Sequence, residues 1–86
     1  MKKEEKIIAI RILKKLHSLR KIGASHTAIE NIPKGFPKHL RGDVRKIAEK
    51  LIKEGLLLAK KHIYGSGISL NPEKIVEIER LIEGET

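Results

Sequence analysis

The chain has 86 residues, 40 % hydrophobic but only 2 % aromatic, with 19 Lys and Arg against 11 Asp and Glu and a net charge of +8. That length suits a single domain with an aliphatic core, and the lack of cysteine excludes disulfides and thiolate metal sites. No apolar run approaches a membrane span, and Arg11, Lys14 and Lys15 interrupt any signal-peptide core, so a cytoplasmic protein is expected.

Residues from about 3 to 21 read as a first helix. Ile8, Ile12, Leu16 and Leu19, with Ala9 and Leu13, recur on one side, and Lys14, Lys15 and Ser18 lie mostly opposite. Ile7 and Ile10 widen the apolar face beyond what one neighbour needs. The helix is either packed deeply in a small domain or forms a homodimer seam through Ile7 and Ile10. Gly23 is expected to end it. Ser25, or Thr27 with Glu30 as a capping box, then opens a short second helix to about residue 32, with Ala28, Ile29 and Ile32 inward. Pro33-Lys34-Gly35-Phe36-Pro37 is a turn by its own chemistry, and Phe36 plugs the angle between two helices.

The stretch 37–70 organises the chain. A third helix spans about 37–54, starting at Pro37 or near Asp43. Leu40, Val44, Ile47 and Leu51 form its inward stripe, edged by Ala48 and Ile52. Lys38, Arg41, Arg45, Lys46, Lys50 and Lys53 crowd the other side, against only Glu49 there and Asp43 and Glu54 near the stripe. Gly55 stands where a helix end needs a left-handed residue. A β-hairpin follows, with one strand over about 56–63, a glycine-rich turn at Tyr64-Gly65-Ser66-Gly67, and a returning strand at Ile68-Ser69-Leu70. Asn71 as N-cap, Pro72 at the first helical position and Glu73 in the first turn open a last helix. Its stripe is Ile75, Ile78 and Ile82, and Gly84 ends it. Charge is segregated: the first 70 residues hold 17 of the basic side chains but 6 of the acidic ones, so the acidic last helix should face away from a polyanion.

The expected class is therefore mainly α with a small β-hairpin (α+β), in the order helix-helix-helix-strand-strand-helix. The passages HTAIENIPKGFPKHLRGDVRKIAEKL, IKEGLLLAKK and YGSGISLNPEK together resemble a winged helix-turn-helix over nearly the whole chain. The pattern is similar to small archaeal winged-helix proteins and, more distantly, to MarR- and ArsR-like transcription regulators. The absence of Cys, Trp and Gln beside 35 % charged residues leans towards a thermophilic source. One departure is the turn between the second and third helices, which is longer than in a compact helix-turn-helix.

The resemblance implies double-stranded DNA as partner, with the third helix in the major groove and a basic wing at about 56–70 on the backbone. Arg41 and Arg45 would read base edges, because a guanidinium pairs bidentately with guanine. Lys38, Lys46 and Lys50 would contact phosphates, Gly42 would let the backbone approach, and Lys60, Lys61 and His62 would form the wing's cluster. Tyr64 either stacks on sugar or base or packs beside the turn. His39 joins His62 within the basic surface as a phosphate donor. The plain alternative for all these charges is a solvated lysine-rich face.

His17, His26, His39 and His62 have no metal-ligand spacing, Ser25-His26 is no nucleophile–base pair, and GSG is no phosphate loop. Neither enzyme activity nor a cofactor is expected. Two other functions fit a basic winged domain: a protein-interaction module in a larger assembly, and RNA binding. The scarcity of aromatics disfavours single-strand recognition.

Overall fold

The computed structural model describes residues 2–62 and 65–84, His62 by its backbone alone. It is a mainly helical α+β domain: α1 (Lys3–Ser18), β1 (Thr27–Ala28), α2 (Arg41–Lys53), β2 (Leu57–His62), β3 (Gly65–Leu70) and α3 (Ile75–Glu83). Four 3₁₀ turns link them, at Ile29–Asn31, Pro33–Gly35, Lys38–Leu40 and Pro72–Lys74. Among the described residues no helix is long and apolar enough to cross a membrane.

Period-3.6 stripes dictate the helical packing. Ile8, Ala9, Ile12, Leu13 and Leu16 of α1 meet Val44, Ile47, Ala48 and Leu51 of α2, Ile78 of α3, and Leu57, Ile68 and Leu70 of the sheet in one aliphatic cluster. The expected stripe of α2 holds, with Leu40 and Ile52 partly buried at its edge. In α3 only Ile78 is fully buried, and Ile75 and Ile82 lie partly open beside the core.

The antiparallel sheet has the order β1-β3-β2, with Leu57 opposite Leu70, Ala59 opposite Ile68 and Thr27 opposite Ile68. Strand alternation sends Leu57, Ile68 and Leu70 to the helices. The other face of β3 is covered too. Ser69 is buried and donates from Oγ to the Gly23 carbonyl at 2.8 Å, while Gly23 N–H donates to Leu70 O at 3.0 Å. Gly23 has φ +61°, and a Cβ there would meet Pro72 Cγ at 3.3 Å. Its role is thus to lace the segment after α1 onto the sheet, rather than to end the helix.

Helix α1 ends earlier than expected, at Ser18, and Arg20 takes the left-handed conformation with φ +56°. Lys21 N–H bonds Leu16 O and Arg20 N–H bonds His17 O, the paired bonds of a Schellman cap. Leu19, expected inward, is consequently 51 % exposed. The same motif closes α2 as its sequence predicts: Gly55 has φ +82°, Leu56 N–H bonds Leu51 O, and Gly55 N–H bonds Ile52 O. A side chain at positive φ costs about 1 kcal/mol. Arg20→Gly should therefore stabilise the fold by about 0.5–1 kcal/mol, read as a raised urea midpoint with unchanged slope.

The expected second helix at 25–32 does not form. Thr27 and Ala28 pair with Ile68 and Gly67 instead, so neither Ser25 nor Thr27 caps a helix, and Ala28 is exposed. The chain then descends by 3₁₀ turns that carry Ile29, Ile32 and Phe36 into the core. The third helix starts close to the second expected position: Pro37 precedes a 3₁₀ turn, and regular helix begins at Arg41, two residues before Asp43, with Leu40 rather than Asp43 at the cap. Gly65, Ser66 and Gly67 belong to β3 rather than to a turn, paired with His62, Lys61 and Lys60. Ile63 and Tyr64 lie outside the described residues. Asn71 caps as expected, Oδ1 accepting from Glu73 N–H at 3.0 Å, but over a 3₁₀ turn that leads into α3. Asn71 Nδ2 also donates to Gly55 O at 2.8 Å, which ties α3's entrance to α2's exit.

Candidate nucleic-acid interface

Helix α2 is docked by one stripe, and successive residues advance by about 100°, so its cations fall on distinct flanks. Arg41 and Arg45 share one flank; Asp43 and Lys50 lie roughly 150° around on the other; Gly42, Lys46 and Lys53 occupy the outermost arc. All of these side chains are exposed, and so are Lys38 and His39 in the preceding turn. A Cβ at Gly42 would meet nothing within 4 Å, so the backbone is open there. Among the described residues Lys38, Arg41 and Arg45 make no ion pair or side-chain hydrogen bond, and exposed Glu49, one turn beyond Arg45, lies on the same flank.

The other flank differs. Lys50 Nζ lies 3.0 Å from Glu5 Oε2 of α1, and Lys46 lines a groove with Glu4 and Glu5. Lys50 is thus paired with a carboxylate, whereas the arginines make no ion pair among the described residues. Sequence reading missed Glu5 because the pair spans 45 residues. A signal existed: Glu5 precedes Ile8 and Ile12 by three and seven residues, at the head of α1's buried stripe, where it meets any helix packed there.

The Lys2 backbone N–H, 3.1 Å from Glu5 Oε1, and the Lys50 ammonium hold the Glu5 carboxyl below its ordinary value. A carboxyl lowered by folding adds stability above the ordinary carboxylate range and loses it as pH falls through the folded value. Glu5→Gln should accordingly melt below the native chain at neutral pH, with the gap closing as the pH falls below the ordinary carboxylate range, in a series of thermal melts.

The hairpin begins beyond the far end of α2, about 20 Å of helix from Arg41. Strand alternation splits its lysine pair. Lys61, opposite Ser66, shares the face of Leu57 and Ile68; Lys60, opposite Gly67, shares the outer face with Leu58 and Ser69. Both are exposed and, among the described residues, unpaired. The side chain of His62 and the whole of Tyr64 fall outside the described residues. The structure thus gathers Lys38, His39, Arg41 and Arg45 into one continuous stretch. Lys46 and Lys50 stand apart from it, and Lys60 and Lys61 lie on two faces of the hairpin.

Elsewhere, His17 is half-exposed on α1 and its Nε2 lies 3.1 Å from Glu79 Oε2, which ties α1 to α3. Ile10 is only 4 % exposed, so of the two expected seam residues only Ile7, at 45 %, remains open. No grouping of three or more His, Asp or Glu among the described residues could hold a metal ion. Comparison with family models, with curated proteins and with solved structures returned no match.

Proposed function

We propose that this chain is a winged-helix domain that binds double-stranded DNA and serves as a small transcription regulator. Its connectivity supports that reading. A short strand after the first helix pairs with the second hairpin strand, so β3 lies central, and α2 runs directly into the hairpin. Helix α2 enters the major groove by its N-terminal half, with Arg41 and Arg45 on base edges and Lys38 and His39 on phosphates. The hairpin lysines follow the backbone.

The observation that carries the reading is the run of exposed Lys38, Arg41 and Arg45, unpaired among the described residues, with His39 and open Gly42 between them, on a helix whose inner stripe is locked in the core. A purely solvated face on a charged chain is expected to mix signs and pair them, as Lys50 does with Glu5. The test is titration of a mixed-sequence duplex at several salt concentrations. Four to six phosphate contacts predict that log K falls against log salt with a slope of about −4 to −5. No binding at about 50 mM salt, or a flat dependence, overturns the proposal. Stronger binding to an RNA duplex in competition would move the assignment to RNA.

A further inference from the structure

A groove of about 400 Å³ runs between the N-terminal half of α1 and the start of α2. Its apolar lining is Ile7, Ile8, Phe36, Leu40 and Ile47, of which Ile7, 45 % exposed, is one of the large aliphatic side chains left open to solvent among the described residues. Its charged rim is balanced: Lys2, Arg11 and Lys46 against Glu4, Glu5 and Asp43. The entire +8 excess of the chain therefore lies outside this groove.

We propose that the groove seats a second copy of this chain, related by a two-fold axis. In such an interface a patch meets itself, so it must be self-complementary. A patch of one sign repels its own copy, whereas three charges of each sign around an apolar floor can pair across the axis, acid to base. Ile7 then has a place to be buried. The same balance argues against other occupants: phosphate and acidic peptides meet Glu4, Glu5 and Asp43, and basic peptides meet Lys2, Arg11 and Lys46. Docking there uses the Asp43 flank and Lys46 of α2, about 100–160° around the helix from Arg41 and Arg45, which stay open. The dimer is read without DNA, so it stands or falls apart from the DNA assignment.

The test is sedimentation of the full 9.7 kDa chain and its variants at about 100 μM, where an interface of micromolar affinity is mostly filled. The native chain should sediment as a dimer, and Ile7→Lys as a monomer with an unchanged circular dichroism spectrum. Should Ile7→Lys fail to fold, two rim variants decide. Glu4→Lys/Asp43→Lys and Lys2→Glu/Lys46→Glu should each be monomeric alone and form a heterodimer when mixed. A monomeric native chain, a folded Ile7→Lys variant that still dimerises, rim variants that associate like the native chain, or a mixture that stays monomeric would each overturn the proposal.

Discussion

Phe36→Ala should cost about 3–5 kcal/mol and lower the melting temperature by more than about 12 °C. Phe36 is the only phenylalanine of the chain and is 5 % exposed in the aliphatic cluster, below the link from the 3₁₀ turns to α2. Truncation leaves a cavity in a core with no other aromatic among the described residues to shift into it. It also strands the Arg11 guanidinium, which lies 4.7 Å from the ring centroid and loses a cation–π partner. A chain of 86 residues has a total stability of about 4–13 kcal/mol, so the loss is a large share of it. Phe36→Leu keeps most of the apolar volume and should cost less than half as much. Urea titration followed by circular dichroism checks both. An equal cost for the two variants would show that the ring's contact with Arg11, rather than the filled volume, carries the effect.

Arg41→Ala combined with Arg45→Ala should weaken binding to a preferred duplex by at least about thirtyfold, since each bidentate base contact is worth about 1–3 kcal/mol. The melting temperature should barely move, because both side chains are exposed and, among the described residues, unpaired. Discrimination between sequences should fall along with affinity. Lys60→Ala with Lys61→Ala should act differently, weakening all duplexes alike and flattening the salt slope by up to about two units. Measuring the native chain and the two double variants against two duplexes at two salt concentrations separates base reading from backbone attraction. Equal effects of the two pairs on all duplexes would remove base reading from α2.

Local chemistry made much of the architecture legible. Gly55 after an amphipathic run and Asn71-Pro72 before an isoleucine stripe each act within a few residues of the structure they create, and the α2 stripe sits where its spacing requires. Failures came where a distant partner outweighed a local signal. Thr27 and Glu30 have the spacing of a capping box, yet Thr27 pairs with Ile68, 41 positions away, because β3 needs a second neighbour. Arg20 is no residue one would choose for positive φ, so the end of α1 was invisible, while Gly23 drew attention for a different duty.

The candidate site was legible as composition and not as geometry. Ten positions stood out as basic or stacking residues, and only the folded chain separates those that share a surface. Arg41 and Arg45 sit together because four residues make one helical turn. Lys60 and Lys61 sit apart because neighbours on a strand face opposite ways. Lys50 is held by Glu5, and the groove beside Lys46 exists only once α1 and α2 are packed.

The most direct measurement is a map of backbone amide chemical shifts in the labelled chain as a DNA duplex is added at low salt. Perturbations centred on residues 38–46, with a second set on the hairpin at 57–62, are the predicted result. Perturbations centred on the acidic helix at 75–83, or none anywhere on α2, would contradict the account.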